Sequence, residues 1–150
     1  MRDSTTTPCL LFPDLCDRPL AATLDLPHAS SDGGAILLKA ANRRLGLIGR
    51  LASALVDGRQ GGKVRHGLTD LLGQRIYGMA LGYEDANDAA RLADDPMHKL
   101  LLDRDPIHGH ALASQPTLSR FENDVTRREL LRMSEELIET VLERHRRRRR

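Results

Sequence analysis

The spacing of apolar residues between residues 31 and 56 predicts two consecutive short helices. Ser31 or Asp32 can cap the first helix, and Gly46 can end it, because glycine readily adopts the left-handed conformation found just after a helix C-terminus. The apolar positions of this first helix are Ile36, Leu37, Leu38 and Ala41. The second helix is predicted over residues 47–56, and its inward residues are Leu47, Ile48, Leu51, Ala54 and Leu55.

The longest helical pattern in the middle of the chain covers residues 64–81, which we predict to be the central helix. The residues that keep a period of about 3.6 are Val64, Leu68, Leu71, Leu72, Ile76, Met79 and Ala80. Gly67, Gly73 and Gly78 interrupt this pattern, and each costs a helix interior about 1 kcal/mol relative to alanine. Tertiary packing must offset that cost, so we expect the glycines to let a neighbouring helix come close. Gly82 is predicted to end the helix.

Two short helices and a polar loop follow the central helix. One helix is predicted near residues 86–93, and the other covers residues 96–102, with Asp95 as its N-cap and Pro96 at its first position. The loop at residues 103–113 carries four side chains that are able to bind a divalent metal, namely Asp103, Asp105, His108 and His110. A polar loop in which Asp and His act as turn and capping residues explains the same composition.

The segment SQPTLSRFEN, residues 114–123, predicts a short helix with a polar outer face. Ser114 suits the N-cap, Pro116 suits the first turn, and Leu118 with Phe121 forms an apolar edge for docking. Ser119, Arg120 and Asn123 then point away from that edge, with Thr117 and Glu122 on the flanks. Arginine can recognise guanine, Gln or Asn can recognise adenine, and hydroxyls can contact phosphates, which is the chemistry of major-groove recognition. An ordinary capped helix with a solvated face is the alternative.

The last predicted helix begins with a capping box and carries a long apolar stripe. Thr126 and Glu129 have the T-x-x-E spacing of the box, and Arg127 and Arg128 lie in the first turn, where they can contact phosphates. The stripe consists of Leu130, Leu131, Leu137, Ile138, Val141 and Leu142. We predict that it faces the core, although pairing with a helix of another chain would use the same pattern.

The composition predicts an all-α domain. Aromatic residues make up only 3% of the chain and Trp is absent, so the core must be aliphatic, which favours helices over a sheet. We expect five to seven helices in a compact bundle over residues 31–145, with a helix-turn-helix-like element. The helix predicted before SQPTLSRFEN ends about twelve residues earlier, however, whereas a standard helix-turn-helix has a turn of about 3–4 residues.

The two ends of the chain differ from this domain. Residues 1–30 contain four of the seven prolines and predict a flexible or extended arm, and their two cysteines, Cys9 and Cys16, lack a metal-site or C-x-x-C pattern. The net charge is +2, but residues 146–150 are five arginines, so the other 145 residues sum to −3. The domain therefore needs local basic patches to bind nucleic acid, while this poly-Arg tail is either a phosphate-binding segment or a low-complexity end. No apolar run approaches the roughly 20 residues of a membrane span, and we expect a reduced, cytoplasmic protein.

Three segments in a fixed order carry a family resemblance. They are SSDGGAILLKAANRRLGLIGRLA at residues 30–52, VRHGLTDLLGQRIYGMALGYEDANDAARLADDP at residues 64–96, and LASQPTLSRFEN at residues 112–123. The parts GYEDANDAARLADDP and SQPTLSRFEN are the most specific. Together, over about residues 30–145, they resemble the N-terminal region of bacterial insertion-sequence transposases with a group-1 DDE domain.

The resemblance implies a cut-and-paste DNA transposase whose catalytic core is RNase H-like. In such a core two Asp and one Glu hold two divalent metal ions, expected to be Mg²⁺, which activate the nucleophile and stabilise the leaving oxygen. No residue of this chain matches those three carboxylates, so we expect a fragment that ends before the catalytic core, assign it no catalytic residue and no metal or cofactor of its own, and expect it to be inactive alone.

The sequence therefore predicts a DNA-binding fragment that recognises insertion-sequence ends in DNA transposition. Double-stranded DNA with terminal inverted repeats is the expected partner, a homodimer is an additional expectation, and the location is the bacterial cytoplasm, at the nucleoid when DNA is bound. The residues predicted to contact DNA are Gln115, Thr117, Ser119, Arg120, Asn123, Arg127 and Arg128. Two other hypotheses remain: a helical protein-interaction or dimerisation module, and a small metal-dependent hydrolase that uses the loop at residues 103–113.

Overall fold

Seven α-helices make up most of the chain that the computed structural model describes, which comprises residues 10–11, 20–21 and 28–149. They are α1 (Ile36–Leu45), α2 (Leu47–Ser53), α3 (Leu68–Ala80), α4 (Ala89–Leu92), α5 (Pro96–Leu101), α6 (Gln115–Asp124) and α7 (Arg127–Arg148). Short 3-10 turns lie at Gly33–Ala35, Gly61–Lys63 and Ala86–Asp88. The prediction of an all-α fold with five to seven helices is confirmed.

Near the N-terminus, β1 (Leu10–Leu11) and β2 (Leu20–Ala21) form one antiparallel pair, in which Leu10 lies opposite Ala21. Most of the arm predicted over residues 1–30, including both cysteines, lies outside the described residues. No helix in the described part of the chain is both long enough and apolar enough to cross a membrane.

The junction between α1 and α2 lies at Gly46, as predicted. Gly46 has φ +66°, and its N–H donates to the Asn42 carbonyl at 2.7 Å, which closes the last turn of α1. The predicted cap at the start of α1 is wrong, because neither Ser31 nor Asp32 donates or accepts a side-chain capping bond there. The Asp32 carboxylate instead accepts from the Tyr83 hydroxyl at 3.2 Å and lies 2.9 Å from the ring of the buried His98.

The central helix α3 begins four residues later than predicted. Gly67 is its extended N-cap residue and not an interior residue, so it imposes no helix penalty. Gly73 does allow the expected close approach, since a Cβ built there would lie 2.8 Å from Cδ2 of Leu102. The predicted inward positions Met79 and Ala80 are exposed, because the last turn of α3 packs on the core through Tyr77 and Gly78 instead.

The core is mainly aliphatic, although it includes the buried Tyr77, and it lies between α2, α3, α5 and α6. Leu71 and Leu118 are the largest fully buried side chains among the described residues, and they pack together with Ala89 and Ala113. A second cluster joins α2 to α3 through Leu51, Ala52, Leu55 and Leu72. Helix α5 begins as predicted, after the capping side chain of Asp95. The helix predicted near residues 86–93 begins as a 3-10 turn capped by Asp85, and its α-helical part, α4, starts only at Ala89.

The last helix, α7, starts at the predicted capping box but turns its apolar stripe away from the core. All six stripe residues are between 42% and 62% exposed: Leu130, Leu131, Leu137, Ile138, Val141 and Leu142. The prediction that they face the core is wrong, because α7 meets the domain through its opposite, mixed edge. There Met133 packs on the second cluster, and Glu143 pairs with Arg50 of α2 at 2.7 Å. The first three tail arginines continue α7 to residue 148.

Candidate nucleic-acid interface

Helix α6, the predicted DNA-reading helix, is held to the domain by its apolar edge. Leu118 is 1% exposed and contacts the cluster around Leu71, and Phe121 is half-buried between the two core clusters. The spacing of three residues puts both side chains on one side of a short helix. The docking predicted for this edge is therefore confirmed, and it fixes which face of α6 points outward.

The chain just before α6 is held by Gln74, a buried residue of α3. Its side-chain Nε2 donates to the Ala113 carbonyl at 2.9 Å, and its Oε1 accepts from the Ala113 N–H at 3.0 Å. One amide side chain thereby satisfies both backbone groups of a residue that is 1% exposed. Sequence reasoning missed Gln74; the available signal was a single polar residue on the inner face of an apolar helix.

Arg104 anchors the same loop from the other side. Its Nη1 donates to the Ala111 carbonyl at 2.8 Å, and its Nη2 lies 3.0 Å from an Asp70 carboxylate oxygen and 2.9 Å from Nδ1 of His66. Burial of the His66 ring lowers its pKa below 6.5, and the positive charges of Arg104 and Arg65 lower it further. These contacts and the Gln74 pair hold the start of α6 at a defined place on the domain.

Ser114 occupies the N-cap position, but its side chain does not cap the helix as predicted. The hydroxyl lies 3.1 Å from Oγ1 of Thr117, and no side-chain capping bond forms. The Ser114 carbonyl accepts from the N–H groups of Thr117 and Leu118, at 2.9 Å and 3.0 Å. The backbone therefore satisfies these two N–H groups without a side-chain cap, and Pro116 has no N–H to satisfy.

The predicted outer face of α6 is narrower than the sequence indicated. Gln115 and Ser119 are half-buried, and Nε2 of Gln115 donates to the Ser119 hydroxyl at 3.0 Å, so Ser119 does not point freely outward as predicted. Arg120 and Asn123 are exposed, and Nε of Arg120 donates to the Pro116 carbonyl at 3.0 Å. This bond sets the direction in which the arginine side chain leaves the helix.

Glu122, which was predicted on a flank of α6, forms an ion pair with Arg75. Its Oε1 accepts a hydrogen bond from Nε of Arg75 on α3, and Arg75 also donates to the Glu84 carbonyl at 3.1 Å. Arg75 thereby neutralises a carboxylate beside the outer face, where an unpaired negative charge would repel phosphate. This role of Arg75 could not be read from the sequence, because the two residues are 47 positions apart.

A short connection joins α6 to α7. Asp124 ends α6 and Arg127 begins α7, with Val125 and Thr126 between them. The segment before α6 is much longer, since α5 ends at residue 101. The short turn typical of a helix-turn-helix therefore follows α6 instead of preceding it.

This connection places two further exposed arginines, Arg127 and Arg128, directly after α6. An open cleft of about 640 Å³ lies beside the junction. Helix α6 contributes Thr117, Arg120 and Asp124 to it, and the facing loop contributes Asp57 and Arg59. Arg59 binds the Asp57 carboxylate through both oxygens, with Nε and Nη2 each at 2.7 Å, and this hydrogen bonding lowers the pKa of Asp57.

The loop at residues 103–113 does not form the metal site that was one interpretation of its sequence. Asp103 binds the buried Lys39 ammonium at 2.7 Å, and Oδ1 of Asp105 accepts from the N–H groups of Ile107 and His108 at 3.0 Å and 2.7 Å. In the described part of the chain, no group of three His, Cys, Asp or Glu side chains could hold a metal ion. The described residues therefore do not fit a two-metal centre.

Comparison with protein families identifies the class of protein. The family model described as transposase DDE domain group 1 matches residues 12–150. The chain belongs to this transposase family, which confirms the resemblance carried by its three ordered segments. No curated protein and no solved structure matches the chain.

Proposed function

We propose that this chain recognises double-stranded DNA during transposition, through the outer face of α6 and the first turn of α7. The observation that carries the proposal is the geometry of α6. Leu118 is fully buried on one side, while Arg120 and Asn123 are exposed on the other, and Arg127 and Arg128 follow after a two-residue turn. A rigidly docked helix that presents such side chains has the chemistry of base recognition.

Each predicted residue has a role in this proposal. Arg120 reads a guanine edge and Asn123 an adenine edge, while Arg127 and Arg128 bind backbone phosphates. Gln115, Thr117 and Ser119 lie in the N-terminal half of α6, where their hydroxyl and amide side chains contact phosphate. The family supplies the context of transposition.

The expected target is the terminal inverted repeat of a bacterial insertion sequence, and the site of action is chromosomal DNA in the bacterial cytoplasm. In this proposal the chain contributes recognition and not strand cleavage. Incubation with supercoiled plasmid and Mg²⁺ or Mn²⁺ is expected to leave the plasmid intact. Nicking by the purified protein would contradict this part of the proposal.

The proposal is tested by selecting bound sequences from a random duplex library and titrating the selected duplex by fluorescence anisotropy. Arg120→Ala is expected to weaken binding to that duplex by about 1–3 kcal/mol while hardly changing binding to random duplex. Arg44→Ala is the matched control, because Arg44 is an exposed arginine on α1 and its removal changes the charge equally. Equal binding by Arg120→Ala and the parent protein would refute the assignment.

The tail at residues 146–150 is proposed to bind phosphates without reading sequence. Arg146, Arg147 and Arg149 are exposed, and Arg146 pairs with Glu139 only at 3.4 Å. Deletion of the tail is expected to weaken binding to selected and random duplex alike. It should also reduce the salt slope by up to about 0.9 for each phosphate that the tail neutralises in the parent complex. A salt slope equal to that of the parent would exclude a tail contribution.

A second candidate function is protein association without DNA binding. It is favoured by one observation, the six exposed apolar side chains of α7. Monomeric proteins rarely expose a continuous patch of this kind unless something binds it. Sedimentation with and without duplex DNA distinguishes the two functions, because a stable dimer that does not bind DNA at moderate salt would favour association.

A further inference from the structure

Helix α6 has two flanks beside its exposed face, and the domain borders each of them differently. Thr117, Arg120 and Asp124, spaced three and four residues apart, line the open cleft on one flank. Glu122 lies on the other flank, where it pairs with Arg75 of α3. A helix of about 10–12 Å in diameter nearly fills a major groove about 12 Å wide, so DNA that binds α6 brings its backbone strands close to these flanks.

The cleft flank of α6 is bordered by residues 57–66, which we call the flanking segment. Near its start, Arg59 lines the cleft opposite α6. Near its end, His66 lies 2.9 Å from Arg104, which holds the Ala111 carbonyl just before α6. The flanking segment therefore follows the cleft side of α6, and its end lies beside the helix N-terminus.

The flanking segment is basic. It carries Arg59, Lys63 and Arg65 against the single carboxylate of Asp57, which gives it a net charge of +2. Arg65 is exposed and forms no ion pair within the described part of the chain. Arg59 binds Asp57 through Nε and Nη2, so this pair neutralises the carboxylate and leaves Nη1 of Arg59 for another acceptor.

The opposite flank of α6 is bordered by acidic residues. The 3-10 turn at Ala86–Asp88 packs against α6, and Glu84 and Asp85 just before it are exposed. Residues 84–88 together have a net charge of −3. A DNA strand along this flank would meet these carboxylates, so the charges favour a strand along the flanking segment.

We propose that the flanking segment binds the phosphates of one DNA strand through Arg65 and Arg59, while α6 lies in the adjacent major groove. The inference rests on the DNA recognition proposed for α6 and adds the side on which the duplex is held. Phosphate contacts of this kind fix the register and the orientation of a protein on DNA without reading sequence. Because both arginines border the same flank of one helix, they contact the same strand.

The contacts are tested by replacing single phosphates of the selected duplex with uncharged methylphosphonates, along both strands. The parent is expected to lose affinity at a small set of positions. Arg65→Ala is expected to weaken binding about three- to tenfold, to reduce the salt slope by about 0.9 and to become insensitive at one of those positions. Arg44→Ala, at an exposed position of α1, is the matched control and should keep the whole pattern of the parent.

The contribution of Arg59 is measured in an Asp57→Asn background, so that no unpaired carboxylate is left in the cleft. Adding Arg59→Ala to this background is expected to remove the sensitivity at a second phosphate, on the strand that Arg65 contacts. Either of two results would overturn the proposal: an Arg65→Ala variant that keeps every sensitivity of the parent, or lost sensitivities that fall on opposite strands.

These measurements separate the flanking segment from base recognition by α6. If Arg120→Ala loses its preference for the selected duplex but Arg65→Ala keeps the phosphate pattern of the parent, only the flanking segment is refuted. If the parent prefers no sequence and its binding is indifferent to every methylphosphonate, both proposals are refuted.

Two charge-neutralising variants test the choice of flank. Asp124→Asn removes an exposed carboxylate from the cleft flank, and Glu84→Gln removes one from the opposite flank. Asp124→Asn is expected to tighten binding by about threefold at low salt, because less negative charge then faces the strand, and Glu84→Gln should change it less. Far-UV circular dichroism should be the same for both variants and the parent. Equal tightening by the two variants would overturn the assignment of the strand to the cleft flank.

Discussion

Oε1 of Glu129, at the start of α7, accepts a hydrogen bond of 2.7 Å from the backbone N–H of Val56, just beyond α2. The other carboxylate oxygen accepts from the Thr126 hydroxyl at 2.6 Å and from the Thr126 N–H at 2.8 Å. One side chain therefore completes the capping box and attaches α7 to the domain. These hydrogen bonds lower the pKa of Glu129 to about 2, and those from Thr126 have the largest effect.

Replacing Glu129 by Gln is expected to make the protein less stable and less sensitive to acid. The folded-state pKa lies below the usual 4.5, so the stabilisation by the carboxylate is complete above pH 4.5 and is lost as the pH falls towards 2. Urea denaturation across this window should show a smaller change in the variant. Glu135→Gln is the control, because Glu135 is an exposed glutamate of the same helix. Equal acid sensitivity of Glu129→Gln and the parent would contradict this role.

Gln74→Leu is expected to destabilise the domain by about 2–4 kcal/mol. The substitution keeps a buried side chain of similar size but leaves the N–H and the carbonyl of Ala113 without partners in the core. Urea denaturation measures the destabilisation, and Gln60→Leu, at an exposed loop position, should change stability by less than about 0.5 kcal/mol. A stable Gln74→Leu protein would mean that the loop before α6 finds other partners.

The sequence predicted best those elements whose boundaries depend on near neighbours. Asp95 with Pro96, Gly46, and Thr126 with Glu129 each act on backbone groups within about four residues, and all three ends were predicted correctly. The side of α7 that packs on the domain could not be predicted in this way. Its two edges are both partly apolar, and the choice between them depends on contacts with residues 73 and 93 positions earlier.

Substitutions at Gly73 test the close packing between α3 and Leu102, the residue that follows α5. Replacing Gly by Ala in a helix interior normally stabilises a protein by about 1 kcal/mol. Gly78→Ala should raise the free energy of unfolding by roughly that amount, since its Cβ would lie at an ordinary 3.5 Å from the Tyr83 carbonyl oxygen. Gly73→Ala should stabilise the protein little or not at all, because the new Cβ would lie 2.8 Å from Cδ2 of Leu102, which would have to move away. Thermal denaturation of the two variants side by side measures the difference.

A larger side chain sharpens this comparison. Gly73→Val is expected to destabilise the protein by about 1–3 kcal/mol through overpacking, and Leu102→Ala in the same protein should recover part of that stability. If Gly73→Ala and Gly78→Ala were equally stabilising, the approach of Leu102 would not constrain α3.

For α6, the sequence predicted the buried edge at Leu118 and the exposed positions of Arg120 and Asn123, because both depend only on helical spacing. It could not predict how α6 is held. Gln74 and Arg104 act on the backbone of residues 110–113, and Gln74 lies 39 positions before its partner. The inner face of α3 marks Gln74 as a buried polar residue but does not show which backbone groups it binds, and nothing local distinguishes Arg104 from other polar side chains.

The protonation of His66 should make the domain less stable as the pH falls below neutral. Its Nδ1 lies 2.9 Å from Nη2 of Arg104, and because a guanidinium only donates, the ring must accept there and carry its proton on Nε2. Burial and the nearby arginines lower the pKa of the folded state below 6.5. The unfolded chain therefore takes up the proton first, so stability is complete above pH 6.5 and decreases as the pH falls below that value.

His66→Gln removes this titration and keeps an oxygen that can accept from Arg104. Its stability should therefore change less than that of the parent as the pH is lowered from 6.5, while His108→Gln, at an exposed loop position, should behave like the parent. Arg104 also holds the Ala111 carbonyl, so protonation of His66 in the parent should speed hydrogen exchange at the Ala113 amide more than in His66→Gln. The comparison is made after correction for the intrinsic effect of pH on exchange. If the two proteins were destabilised equally over this range, the interaction of His66 with Arg104 would not govern the acid response.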